Sequence, residues 1–152
     1  MVSSSLVEEV QSLRINKNIL VNAPLDITFE AVLADLGPES EMAEGMPFPM
    51  VLEAWPGGRW YRDLGNNAGH LWGHVQVIKP PKLIEICGPM FMSYAATSHI
   101  QYRLAEEEQG TRVSILHTAI GLISAEHSEG VQEGWQHCLE HLKCIAERKT
   151  SR

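Results

Sequence analysis

The sequence predicts an α+β domain in which helices cover one face of an antiparallel sheet. Three observations carry the prediction. The elements read in the order strand, short helix, several strands, long helix. The middle of the chain is a meander of β patterns punctuated by Gly and Pro turns. The last helix is long enough to lie across a whole sheet. A length of 152 residues fits one such domain rather than two.

The first strand is expected over 14–22, where Ile15, Ile19 and Val21 supply β-branched side chains, and it stops at Ala23-Pro24 because proline has no N–H for a ladder. Residues 26–36 follow as an amphipathic helix. Phe29, Val32, Leu33 and Leu36 recur at helical spacing, Pro24 and Asp26 open the helix, and Gly37-Pro38 closes it. From 37 to 50, GPESEMAEGMPFPM shows no period, and an unstructured loop of this length in a compact domain is expected to cover something. Strand patterns then recur over 51–55, 59–64, 70–78 and 83–87, with turns at Pro56-Gly57-Gly58 and 65–69 and breaks at Pro80-Pro81 and Gly88-Pro89. Segments 98–104 and 111–120 read as a hairpin around the polar turn 106–110. Residues 126–149 contain no proline, and Val131, Trp135, Leu139, Leu142 and Ala146 recur in steps of three and four. At 1.5 Å per residue this helix is about 35 Å long.

Composition excludes several function classes. Hydrophobic residues make up 44% and charged residues 20% of the chain, too apolar for a disordered protein. Lys plus Arg is 12 against 19 for Asp plus Glu, a net charge of −7 without a basic cluster, which disfavours nucleic-acid binding. Apolar runs fall far short of the roughly 20 residues of a bilayer span. The opening MVSSSLVEEV carries acid where a signal peptide has a basic stretch and an apolar one. A soluble, cytoplasmic protein with no membrane partner is expected. Cys87, Cys138 and Cys144 form no CxxC pair, so a disulfide framework is not the source of stability, and Cys87, in the apolar run 83–87, is expected to act as a small hydrophobe. GxSxG, GxxxxGK[ST] and a strand followed by GxGxxG are all missing, so neither a serine hydrolase nor a nucleotide enzyme is indicated and no cofactor is called for.

Four motifs then converge. Pro56-Gly57-Gly58-Arg59-Trp60, Gly73-His74-Val75-Gln76-Val77-Ile78-Lys79-Pro80-Pro81, Gly110-Thr111-Arg112-Val113-Ser114-Ile115-Leu116-His117, and Gly134-Trp135 followed by Leu139 and Leu142 resemble the SRPBCC superfamily. Within it they look like the branch named after the activator of the heat-shock-protein-ninety ATPase. The likeness runs from Ile15 to about Glu147, so the chain is expected to be one domain, 1–152, with 1–13 a leader outside the core. The resemblance implies a helix-grip fold, in which a curved antiparallel sheet wraps the terminal helix around an internal cavity. Members of the superfamily bind lipids, sterols, polyketides or hormones, and some cyclise or hydrolyse them. Fold alone does not assign the activity.

Alternation along the strands nominates the lining. Val113, Ile115, His117 and Ala119 share one face, which aims His117 at the helix among apolar neighbours. Its imidazole could orient a ligand or exchange protons, or it could be a core histidine bonded to backbone or water. Ile100, Tyr102 and Leu104 put Tyr102 on the inner face and His99, Gln101 and Arg103 outside. Trp60, at the family's aromatic position, is taken as inner. Arg62 then sits at a cavity wall, where its guanidinium could hold an anionic or carbonyl group, unless it pairs with Glu53. In 70–78 the set Leu71, Gly73, Val75, Val77 reads as core, leaving Trp72 and His74 outside, either as a homodimer contact or as ordinary exposed side chains. Phe48 and Met92, in the apolar segments 46–50 and 90–94, offer adaptable contacts to an irregular ligand or pack beneath loops. His137, His141 and Cys144 line one stripe of the last helix, but at the edge of its buried face, and no metal site is assigned. The expected function is binding of a small hydrophobic or amphipathic molecule by Phe48, Trp60, Arg62, Met92, Tyr102, His117 and Trp135. The alternatives are a cyclase- or hydrolase-type enzyme using His117 in the same cavity, or a chaperone-partner module.

Overall fold

A computed structural model describes residues 9–151. Its elements are β1 (Gln11–Val21), α1 (Leu25–Leu36), β2 (Val51–Leu52), β3 (Arg59–Gly65), β4 (Ala68–Lys79), β5 (Leu83–Gly88), β6 (Ala96–Glu107), β7 (Gly110–Gly121) and α2 (Ala125–Thr150). The strands form one antiparallel sheet in the order β1-β7-β6-β5-β4-β3-β2. β1 crosses to pair with β7 over its whole length. The sheet curves around α2, whose buried residues Val131, Trp135, Leu139, Leu142, Ile145 and Ala146 continue the predicted stripe. They share one core with Ile15, Ile84, Ile100, Val113 and Ile115 from the sheet and with Phe29 and Val32 from α1. This is the helix-grip arrangement.

Local chemistry explains where elements start and stop. Ser124 caps α2, its Oγ accepting the His127 N–H at 3.1 Å. Arg148 and Lys149 occupy the last turn, where the helix dipole favours cations. The β3–β4 turn is only Asn66-Asn67, both with left-handed φ of 55° and 62°, a conformation that asparagine tolerates and a tight hairpin requires. The β6–β7 turn is likewise shorter than expected, since Glu107 already pairs with Gly110. At the other end β1 begins at Gln11, not Arg14, and Leu13 is buried in the sheet. The first eight residues of the expected leader lie outside the described residues. β2 is shorter than the expected 51–55: the Glu53 N–H still donates to the Arg59 carbonyl at 2.9 Å, but the Glu53 carboxylate, not its carbonyl, accepts from the Arg59 N–H and from two guanidinium nitrogens, each at 2.8 Å.

The largest departure from sequence expectation is in β4. Trp60 pairs with Gly73 and the next residue, Tyr61, pairs with Leu71, so Trp72 is an extra residue in a bulge. A second irregularity separates Val75, opposite Ile86, from Val77, opposite Glu85. Each bulge reverses the parity of the strand. Gly73 and Val75 therefore stay inside, Leu71 is exposed, and Trp72 turns inward against Trp60. The expected outward Trp72 is corrected by this geometry, which removes the observation from which a subunit contact is argued. Glycine is required where β4 meets β5: a Cβ on Gly88 would come within 2.4 Å of the Gly73 Cα and of the Trp72 carbonyl oxygen. On β5 the inner residues are Ile84 and Ile86, which puts Cys87 on the outer face, its Sγ donating to Gln76 Oε1 at 2.7 Å. Cys87 is thus a surface donor and not a core hydrophobe.

Candidate functional site

At the β3–β4 end of the sheet, α2 stands away from the strands and leaves a cavity of about 450 Å³. Its walls come from five places: the end of α1, the 37–50 loop, the bulged strands β3 and β4, the 89–95 loop, and the first half of α2. Aromatic rings dominate. Trp72 is the hub, edge-on to Trp60 at 5.1 Å, tilted against Phe48 at 5.9 Å and edge-on to Phe91 at 5.6 Å between centroids. Trp135 closes the deep side. Met90 enters the wall from a left-handed backbone, φ 58°, right after Pro89. On α2, Gly130 and Gly134 are one turn apart at the cavity, and a Cβ on either would meet open space.

Each wall is held from behind. The Trp60 indole N–H donates to the Leu36 carbonyl at 2.7 Å, satisfying one of the acceptors left bare at the end of α1. Arg62 places its guanidinium 4.1 Å from the Phe48 ring centroid and donates to the Pro49 carbonyl at 2.6 Å. It therefore braces the loop and does not line the cavity, and Glu53 is taken by Arg59 instead.

His117 is fully buried and has no nitrogen to spare. The Trp135 indole N–H donates to its Nδ1 at 2.9 Å, and Ser98 Oγ lies 2.9 Å from its Nε2. An indole can only donate, so Nδ1 is bare, the neutral ring carries its proton on Nε2, and Ser98 accepts. A nucleophilic serine needs the reverse polarity, with a bare nitrogen facing its hydroxyl. Burial lowers the His117 pKa to about 4, which keeps the ring neutral. Ser98, His117 and Trp135 thus form a line that fixes α2 to the sheet. Tyr102 stacks edge-on to Trp135 at 6.2 Å and is fully buried. Its hydroxyl is without a hydrogen-bond partner among the described residues. Met92 is buried behind the loop. Of the seven residues expected to line the cavity, Phe48, Trp60 and Trp135 do so, whereas Arg62, Met92, Tyr102 and His117 stand behind its walls.

The polar groups that reach the cavity were not singled out by the sequence, except for His137. Asp35, buried at the end of α1, accepts from His141 Nδ1 at 2.6 Å. Glu41 in the 37–50 loop lies 3.0 Å from His137 Nε2 and 3.4 Å from His141 Nε2. The two imidazoles stack with rings 7° from parallel. This cluster clamps the loop to α2. Burial raises the Asp35 pKa, and the bond to Asp35 raises that of His141. Cys144 is exposed and takes no part, and among the described residues no group of three or more His, Cys, Asp or Glu is placed to share a metal ion. At the opposite rim, the Tyr94 hydroxyl is hydrogen-bonded to His127 Nδ1, with Phe91 and Tyr94 rings each 5.4 Å from the imidazole. Cys138 lies on the floor, where burial pushes its thiol up and leaves it protonated. Among the described residues no helix is long and apolar enough to cross a membrane.

Among curated proteins none matches the chain. Among solved structures it is similar to an uncharacterized protein from Rhizobium leguminosarum, with 18% identity and a TM-score of 0.70 over 93% of this chain and 99% of that one. A protein from Chromobacterium violaceum is similar at 21% identity and a TM-score of 0.65, covering 88% and 96% of the two chains. So is the di-domain ARO/CYC StfQ from the steffimycin biosynthetic pathway, at 13% identity and a TM-score of 0.65 over 93% of this chain. The chain spans about half of StfQ, 52% of its length. At these identities the likeness establishes the fold alone. The model of the family described as Activator of Hsp90 ATPase homolog 1-like protein matches residues 45–147, from within the 37–50 loop to near the end of α2. A match over more than half of the sequence, on a chain that folds as a helix-grip domain, makes this protein a member of the Activator of Hsp90 ATPase homolog 1-like family.

Proposed function

We propose that this protein binds a small hydrophobic or amphipathic molecule between the 37–50 loop, the bulged end of the sheet and the first half of α2. The observation that carries the reading is the cavity itself: about 450 Å³ walled by Phe48, Trp60, Trp72, Phe91 and Trp135. Volumes of about 300–1,000 Å³ with apolar walls and a few polar groups are those of small-ligand sites. Family membership and the similarity to a di-domain ARO/CYC support the same class of occupant.

The enzyme reading has one observation in its favour, the Tyr94–His127 pair at the rim, since His127 lines the cavity with Nδ1 engaged by the phenol. His117 does not serve that reading, because both of its nitrogens are bonded within the protein. The chaperone-partner reading loses the outward Trp72 that would have marked a docking face.

Native mass spectrometry of the purified chain, together with titration by Nile red, tests the binding. Three of the four tryptophans line the cavity, so an occupant should quench most of the intrinsic fluorescence. Gly134→Leu, which projects a side chain into the open space, should abolish Nile red binding while the chain stays folded. Undiminished binding by that variant would place the ligand elsewhere.

A further inference from the structure

The charged groups around the cavity are lopsided. The ionisable residues of its lining are Asp35, Glu41, His127, His137 and Cys138, with no lysine or arginine among the described residues of the wall. The nearest guanidinium, Arg62, is committed to the Phe48 ring and the Pro49 carbonyl. His141 stands behind Asp35 and Glu41 and is the only other imidazole in their cluster.

Asp35 is oriented as an acceptor. Its Oδ1 takes the His141 bond, and its second oxygen accepts nothing from the described residues. Behind the wall the buried Tyr102 hydroxyl is also without a partner among the described residues, its ionisation opposed first by burial and then by Cys138 and Asp35. A buried phenol with no partner has an open lone pair as well as an unused proton. One end of the cavity presents the Asp35 and Glu41 carboxylates, and the other is a box of indole and phenyl faces, whose quadrupoles attract cations. An anionic ligand would meet two carboxylates with no lysine or arginine in the wall to offset them, and both nitrogens of His141 already lie on those carboxylates.

We infer that the occupant is a basic amphiphile, with a cyclic or aromatic body held among Phe48, Trp60, Trp72 and Phe91 and a protonated amine directed at Asp35 and Glu41. The inference rests on the binding function proposed above and adds the sign of the ligand's charge.

Three probes of one shape test it on the full chain: naphthylmethylamine, naphthalenemethanol and naphthoate, titrated by tryptophan quenching near neutral pH and low ionic strength. The ammonium should bind about tenfold more tightly than the alcohol, a charge-assisted contact against a neutral one, and naphthoate should bind weakest. Asp35→Asn should reduce the preference for ammonium over alcohol. Glu41→Gln, in the exposed loop, makes the same test should the buried substitution impair folding. Equal affinities for amine and alcohol, tightest binding of naphthoate, or a preference that survives Glu41→Gln together with Asp35→Asn would overturn the basic-ligand inference and leave the cavity reading intact. Failure of all three probes and of Nile red to bind would overturn both.

Discussion

Lowering the pH should destabilise the fold through His117. The folded pKa lies near 4 against an ordinary value of 6.5, a shift caused by burial. Between those two values the unfolded chain binds a proton that the native imidazole refuses. Stability therefore falls as pH drops through this window and the loss is complete below the folded value. A shift of this size corresponds to about 3 kcal/mol at its full extent. The structure supplies the reason: protonating Nδ1 would set an N–H against the Trp135 indole N–H that now donates to it. Asp35 and His141 act in the opposite direction, because their folded pKa values are raised, so the total pH slope is a mixture. The His117 share is isolated by comparison with His117→Gln, which does not titrate. Urea denaturation of both proteins, followed by tryptophan fluorescence from neutral pH to about pH 4, should show the stability advantage of wild type shrinking by about 2–3 kcal/mol. An advantage that stays constant across the range would show that His117 is not held neutral, and the Trp135–His117–Ser98 assignment would fail with it.

Trp135→Ala should cost about 3–5 kcal/mol, the range for a large buried aromatic, read as a lower urea midpoint; an unchanged midpoint would contradict the packing of α2. Trp60→Phe keeps a ring in the wall but strands the Leu36 carbonyl, and should cost about 1 kcal/mol by the same measurement. Gly134→Ala adds a methyl to open space on a helix and should stabilise by about 0.5–1 kcal/mol, so a loss of stability would mean that the site is not open. Arg62→Ala should accelerate amide hydrogen exchange at Phe48 and Met50 without altering that of β6 and β7; equal protection in both proteins would remove Arg62 as the brace of the loop.

Where periodicity is regular, sequence and structure agree closely. Val131, Trp135, Leu139, Leu142 and Ala146 are all buried on α2, and the inner and outer sets of β6 and β7 fall as alternation assigns them. His99 and Gln101 do face outward, where both reach Glu85. These strands pair without a register shift, so each residue predicts its neighbour's direction. β4 has two shifts, and parity counted from Val75 gives the wrong side for Trp72, which is the extra residue of a bulge that no composition rule marks. Leu13 was missed for a different reason. Its strand extends past the Ile15 at which the family resemblance begins, and only pairing with Ala119 reveals it.

The cavity is built where that regularity ends, which explains why four of its seven expected residues stand behind the walls. Tyr102 and His117 were placed on the inner face of regular strands, and that is where they are. But a regular inner face is packed by α2, so those side chains are covered. Space for the cavity remains where the first half of α2 carries Gly130 and Gly134 in place of larger side chains and faces the Trp72 bulge of the sheet. The polar lining follows from the same geometry. Asp35 lies outside the apolar set Phe29, Val32, Leu33 and Leu36 of α1, yet the closing turn of that helix puts it under the 37–50 loop beside α2, where His141 is its partner. Asp35 and His141 are 106 residues apart in the chain, Tyr94 and His127 are 33 apart, and each pair meets only after the sheet has brought its elements together. Alternation and helical spacing tell which residues face inward; which of those remain uncovered is decided by the packing of a second element, and that information is not local in the sequence.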